Sequence, residues 1–340
     1  METVNLDWKN LPFGYVKTDA NVRSYYKDGK WGPLEMHEEE TITVHMASTC
    51  LHYSQECFEG LKAYRGKDGK IRLFRPEENA KRMQRSADYL RMQAPPVKLF
   101  VEAVKKAVEA NVRFIPPYGS GASLYIRPVL LGIGATVGVK SAPEYAFVVF
   151  VTPVGPYFKE GFNCNKAIVE REYDRAAPKG TGHVKAGGNY GASMYSNERA
   201  HVKGFPSIIY LDAKEKRYID EFAAANFFGI KGNSYVTPDS HTVLPSITNM
   251  SLRTLAEDLG MKVENRPVDV AELGEFSEVG ACGTAAVISP IGEVFDPGID
   301  KTHIYGDGKH AGPVSTKLYE TLLGIQYGEV ADKHNWCVIL

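Results

Sequence analysis

Gly180-Thr181-Gly182-His183-Val184-Lys185-Ala186-Gly187-Gly188-Asn189-Tyr190-Gly191 places one lysine among small residues that leave the backbone free to turn and to be approached closely. An amine held on such a backbone can be brought against a flat carbonyl group and attack it, provided it is partly deprotonated. Tyr190 adds a phenol five residues on. Spacing alone leaves a second reading open, a solvated surface loop, because most lysines are exposed charges.

The surroundings of this stretch limit the classes of protein. Among 340 residues, 40 Lys and Arg stand against 41 Asp and Glu, a formal net charge of -1 that gives no electrostatic reason for nucleic acid or an anionic membrane as partner. No run of about 18 apolar residues occurs and residues 1–10 lack a signal-peptide core, so a soluble, cytoplasmic protein is expected. Five cysteines without a C-x-x-C pair argue against a disulfide framework or a structural zinc site. His303 and His310 have no third ligand in sight, so no metal is expected. Cys337-Val338-Ile339-Leu340 formally matches a prenylation signal, yet Asp332-Lys333-His334-Asn335-Trp336 before it is not polybasic. The tail is expected to pack onto the body of the protein.

Along the first half, residues 11–14 and 22–26 read as short strands, and Asp68-Gly69 as the turn of a hairpin that returns over 71–74. Pro76 suits the first turn of a helix with Met83, Ala87 and Leu90 on one face, and a second helix is expected over 99–113, ended by Pro116-Pro117. Residues 121–131 and 144–154 read as central strands. This is an α+β domain over 1–158, with a connection over 159–165 that opens at Gly155-Pro156. In the second half, strands are expected at 167–170, 207–212, 218–222, 226–230 and 286–288. Helices are expected over 190–201, from about Met250 to Leu259, and after Gly312-Pro313. Gly280-Ala281-Cys282-Gly283-Thr284-Ala285-Ala286 reads as a turn whose small residues let backbone donors face a ligand. Acidic Asp220 and Glu221 are both candidates for a carboxylate beside a protonated ring nitrogen.

Lys185-Ala186-Gly187-Gly188-Asn189-Tyr190 resembles the cofactor-lysine motif of the branched-chain amino acid aminotransferases, pyridoxal 5'-phosphate enzymes of fold type IV. The resemblance extends over roughly residues 10–330, through Leu51 to Tyr64, Leu73-Phe74-Arg75-Pro76 and Tyr125-Ile126-Arg127-Pro128-Val129-Leu130. It implies a two-domain α+β fold, like that of the D-amino acid aminotransferases, with a larger α/β domain over 166–340 carrying the lysine. The implied reaction is reversible transamination of L-leucine, L-isoleucine and L-valine with 2-oxoglutarate, in a homodimer. Lys185 is then both covalent anchor and acid/base. Arg82, the backbone of Ile247 and Thr248, and Thr284 are implied for the cofactor phosphate, Tyr190 for the ring oxygen and Glu221 for the ring nitrogen. Phe13, Phe58, Tyr125 and Tyr157 would wall a branched side chain. Tyr53 from a neighbouring subunit, Arg127, Thr284 and Ala285 would serve the substrate carboxylate. Two departures stand out: Ala285-Ala286-Val287-Ile288 lacks the redox cysteine pair of the mammalian members, and Ala223-Ala224-Ala225 replaces the family's glycine and threonine. Two enzymes of the same fold, a D-amino acid aminotransferase and an aminodeoxychorismate lyase, are the nearest rivals, and a cofactor carrier is the non-enzyme one.

Overall fold

The structure, a computed structural model, describes residues 3–158 and 161–340. Residues 159 and 160 of the expected connection lie outside the described residues. The chain divides into two compact units, one of residues 1–159, 184–187 and 324–340, the other of 160–183 and 188–323. The lysine segment and the C-terminal stretch, placed with the second half by the sequence reading, are thus grouped with the first.

The first unit is built on an antiparallel sheet of β1 (Asn21–Lys27), β2 (Lys30–Trp31), β3 (Glu35–His37), β4 (Glu56–Phe58), β5 (Leu61–Arg65), β6 (Ile71–Phe74), β7 (Ser123–Ile133) and β8 (Glu144–Val154), with Cys337–Ile339 as a further strand. The long β7 and β8 pair from Ser123↔Val154 to Ile133↔Glu144. Helices α2 (Pro76–Tyr89) and α3 (Val97–Ala110) follow the short α1 (Thr49–His52). Proline opens α2 because its missing N–H falls where no intrahelical partner exists, and Glu77 and Glu78 suit the positive end of the helix dipole. Met83, Ala87, Phe100, Val104 and Val108 pack with Leu124, Ile126 and Phe147 into one core. Alternation along β7 therefore turns Tyr125 and Arg127 to the opposite face of the sheet.

Two expectations shift, and the packing of the C-terminal tail onto the body is borne out. Residues 11–14 are not a strand: Pro12 has no N–H to offer, and the segment is held instead by the Thr152 hydroxyl. That hydroxyl donates to the Gly14 carbonyl at 3.0 Å and accepts the Val16 N–H at 2.9 Å. The second helix starts at Val97 and ends at Ala110, where Asn111 donates its side-chain amide to the Ala107 carbonyl at 2.7 Å and the chain tightens into a 3-10 turn. Cys337–Ile339 pairs antiparallel with β6, from Cys337↔Phe74 to Ile339↔Arg72.

In the second unit β9 (Asn165–Glu170), β10 (Ser207–Leu211), β11 (Ile219–Phe222), β12 (Asn226–Lys231), β13 (Ser234–Pro238), β14 (Lys262–Arg266), β15 (Glu278–Gly283), β16 (Val287–Asp296) and β17 (Lys301–Ile304) form a mixed sheet. Pairing runs β10-β9-β16-β15-β12, and β11 joins both β10 and β12, so six strands close on themselves. The closing contact is Glu221↔Asn226. Ala167, Ile209, Phe222, Phe227, Val279 and Ile291 fill the interior. Helices α4 (Gly187–Val202), α5 (Ile247–Asp258) and α6 (Pro313–Tyr327) complete the described chain, in which no helix is long and apolar enough to cross a membrane.

Candidate active site

In the first unit, β4 fixes the lysine. The Lys185 carbonyl accepts the Phe58 N–H at 3.1 Å, Ala186 bridges to Cys57, and the Gly187 N–H donates to the Glu56 carboxylate. From the other side, the Lys185 N–H donates to Ser86 Oγ on α2 at 3.1 Å. These three hydrogen bonds hold the backbone around the half-buried side chain, whose Nζ lies 4.7 Å from the centre of the Phe58 ring. Arg127 meets the same ring at 4.7 Å and donates to the Tyr125 hydroxyl at 3.1 Å and 3.3 Å. Phe13 sets its ring edge on Tyr125 at 5.0 Å, carried there by the Thr152 clamp because Thr152 pairs with Tyr125 in the ladder. Lys185, Phe58, Arg127, Tyr125 and Phe13 thus form one connected group. Tyr157, exposed, has Phe158 as its ring partner.

Arg82 is buried on α2, and its Nε and Nη2 donate to the two oxygens of Glu59 at 2.8 and 2.7 Å. Asn79 adds a third donor to Glu59 at 2.7 Å. A bidentate pair of this kind fixes the plane of the guanidinium as well as its place. Tyr53, at the end of α1, is exposed and donates its hydroxyl to the Val137 carbonyl.

The second unit holds the other set. Glu221 is buried on β11, where its carboxylate meets Arg175 Nη1 at 3.0 Å, the Asn226 side-chain amide at 2.5 Å and the Leu244 N–H. Burial pushes its pKa up to about 7 although Arg175 and these donors pull the other way. Its neighbour Asp220 instead accepts from the Thr242 hydroxyl, which separates the two acids by role. The Ala223-Ala224-Ala225 turn contributes none of the named donors to Glu221, so the missing threonine hydroxyl is not needed to hold it. Ile247 and Thr248 are the first residues of α5; Ser246 caps the helix by accepting the Asn249 N–H at 3.2 Å. First-turn N–H groups have no intrahelical acceptor, which suits them to a phosphate. Thr284 and Ala285 lie half-buried in the turn from β15 to β16, closed by Val287 at φ 65°, a conformation that β-branched residues adopt only when held. Tyr190 stands in the first turn of α4.

A sequence profile for Amino-transferase class IV matches residues 56–294. The chain is 50% identical to the branched-chain-amino-acid aminotransferase of Haemophilus influenzae, over 98% of both chains. The chain belongs to this family. It is 47% identical to the Helicobacter pylori enzyme of the same name, over 98% of this chain and 97% of that one. The branched-chain amino acid aminotransferase of Escherichia coli superposes with a TM-score of 0.79 at 28% identity, covering 94% of this chain and 99% of that one. The enzyme of Thermobaculum terrenum, solved in its PLP form, gives 0.76 at 25% identity, covering 95% and 98%. Members of the family are pyridoxal-phosphate-dependent aminotransferases of fold type IV, and this chain is one of them.

Sequence reasoning missed three charged groups in these sets: Arg175, Glu59 and Glu56. The signal was present for one of them: Glu59 is a charge within the otherwise apolar run from Cys57 to Leu61. Among the described residues no group of His, Cys, Asp and Glu could hold a metal ion.

Proposed function

We propose that the chain transfers the α-amino group of L-leucine, L-isoleucine or L-valine to 2-oxoglutarate, reversibly, as a cytoplasmic homodimer with one pyridoxal 5'-phosphate per protomer. The observation that carries this reading is the fixing of the Lys185 segment by three backbone hydrogen bonds with its amine over Phe58. The residues also fit the cofactor: Glu221, buried and surrounded by donors, is an acid whose charge a protonated ring nitrogen would complete.

When bound, pyridoxal phosphate supplies an aldehyde that holds an amine and a ring that accepts the electron pair left by a departing proton. Lys185 Nζ would anchor the cofactor and, once displaced by the substrate amine, would take up the α proton and deliver it to the cofactor carbon that had carried the lysine. Glu221 keeps the ring nitrogen protonated, and Tyr190 donates to the ring oxygen. Arg82, the Ile247 and Thr248 N–H groups and Thr284 hold the phosphate, with Arg82 oriented by Glu59. Phe13, Phe58, Tyr125 and Tyr157 wall the branched side chain, while Arg127, Thr284 and Ala285 serve the carboxylate. An apolar wall discriminates by only about 1 to 3 kcal/mol per methylene, so methionine and aromatic amino acids are expected side substrates.

Tyr53 of one protomer is assigned to the substrate of the other. In support, the loops that carry it expose Met46, Val137 and Val139 at 81, 82 and 86% and are tied together by the Thr136 N–H to the Ala47 carbonyl. Apolar exposure of this kind marks an interaction surface.

Steady-state turnover tests the substrate class. L-leucine with 2-oxoglutarate is expected to turn over at least a hundredfold faster than D-alanine, and no pyruvate should be released from aminodeoxychorismate. The reverse order would assign the chain to one of the enzymes that share its fold.

A further inference from the structure

A chain of buried polar side chains runs behind Glu221 in the second unit. The Tyr235 hydroxyl donates to Asn249 Oδ1 at 2.8 Å. Asn249 Nδ2 donates to Thr237 Oγ1 at 2.9 Å and to Asn226 Oδ1 at 3.4 Å. Asn226 Nδ2 in turn donates to Glu221 Oε2 at 2.5 Å and to the Leu244 carbonyl at 3.1 Å. Tyr235, Thr237, Asn226, Asn249 and Glu221 are all buried, so water does not compete for these bonds.

The direction of the chain follows from its ends. Thr237 gives its only hydrogen to the Phe227 carbonyl at 2.7 Å, so its oxygen must accept. The Asn249 N–H2 must therefore face Thr237, and with it Asn226, which leaves the Asn249 oxygen to accept the Tyr235 hydroxyl. Asn226 must then present oxygen to Asn249 and N–H2 to Glu221. The reverse orientation would set the Asn226 oxygen against both the Glu221 carboxylate and the Leu244 carbonyl, three acceptors without a hydrogen among them.

We infer that Asn249 is a positioning residue, which fixes the orientation of the Asn226 amide and so keeps an N–H donor on Glu221. The inference rests on the proposed role of Glu221 at the cofactor's ring nitrogen. It also gives α5 a second task. Asn249 follows Ile247 and Thr248 in the first turn, so the turn assigned to the phosphate also carries the residue that orients the partner of the ring acid.

Besides Asn226, Glu221 faces Arg175 at 3.0 Å, Asp220 on its own strand, the Leu244 N–H and the Cys282 thiol of β15, which itself lies against Tyr235. A change at Asn249 leaves the Arg175, Asp220 and Leu244 contacts of Glu221 in place and takes the acceptor from the Tyr235 hydroxyl, an effect that Tyr235→Phe measures separately. Without Asn249 the Asn226 oxygen loses this donor; once Glu221 is protonated the amide can turn and accept its O–H, so the neutral form of Glu221 gains.

The test is the dissociation constant of pyridoxal phosphate for the full chain between about pH 5.5 and 8.5, with the unfolding midpoint of each variant measured alongside. In the wild type, affinity is expected to fall on the acid side as Glu221 takes up a proton. Asn249→Ala is expected to move the midpoint of that fall upward by about one pH unit and to weaken binding at neutral pH about tenfold. Tyr235→Phe, which keeps the packing and removes one donor, should move it the same way by less. A lower unfolding midpoint in both variants with the pH midpoint unchanged would overturn the positioning role. Glu221→Gln should abolish the acid-side fall. If it does not, the assignment of Glu221 itself fails and takes the inference with it.

Discussion

Glu59 receives both free arms of the Arg82 fork, Nε on Oε1 at 2.8 Å and Nη2 on Oε2 at 2.7 Å, with both side chains withdrawn from solvent. A buried pair that loses one charge leaves the other uncompensated, at a cost of about 3 to 5 kcal/mol. Glu59→Gln is therefore expected to destabilise the apoprotein by that amount in urea unfolding and to weaken pyridoxal phosphate binding at least tenfold. Glu59→Gln with wild-type cofactor affinity would separate Arg82 from the phosphate.

Gly187 and Gly191 give opposite expectations within one helix. A Cβ at Gly187 would lie 1.9 Å from the Glu56 Oε1 atom, whereas one at Gly191 would meet nothing within 4 Å. Gly187→Ala displaces the Glu56 carboxylate and breaks its bond from the Gly187 N–H, one of the ties on the Lys185 segment, so kcat for L-leucine is expected to drop several-fold. Gly191→Ala removes backbone entropy from a helix interior and should stabilise by about 0.5 to 1 kcal/mol with activity retained. Paired melting curves and turnover measurements check both.

Glu221 titrates from an ordinary carboxylate value of 4.5 in the unfolded chain and from about 7 in the fold. Folding therefore binds a proton between these values, and the stability this contributes is present below about pH 4.5 and lost as pH rises through 7. Converted at about 1.4 kcal/mol per unit, the span is on the order of 3 kcal/mol. Apoprotein unfolding free energies at both ends of the window, with Glu221→Gln as reference, should show this slope in the wild type and its loss in the variant.

Val137→Glu places a charge on the exposed apolar loop beside Tyr53. Sedimentation velocity is expected to show a dimer for the wild type and a monomer of strongly reduced activity for the variant. A fully active wild-type monomer would remove Tyr53 from the substrate site.

Where a residue's neighbours in the chain decide its structure, the sequence was readable. Pro76 with Met83 and Ala87 set α2, the largely apolar run of 144–154 became β8 to the residue, and the small residues around Lys185 marked a closely approached backbone. Features that depend on distant partners were not. Residues 11–14 have strand-like composition, yet the Leu11 N–H turns back to the Asp7 carbonyl and the Gly14 carbonyl is taken by the Thr152 hydroxyl, some 140 positions away. The closure of the second sheet through Glu221↔Asn226 depends on register, which apolar alternation does not encode for strands buried on both faces. Arg175 resembled any loop arginine until folding placed it on Glu221, and Asn249 any helix-start polar residue until Thr237 fixed its amide.

The central claim is that Lys185 serves the amino-acid half-reaction, and the visible spectrum of the purified protein tests it most directly. With L-leucine added and no keto acid present, the yellow cofactor band is expected to give way to the shorter-wavelength pyridoxamine form in the wild type. In Lys185→Ala the band should not convert on the same time scale. A wild-type band that L-leucine leaves unchanged, or a Lys185→Ala protein that converts at the wild-type rate, would contradict the account.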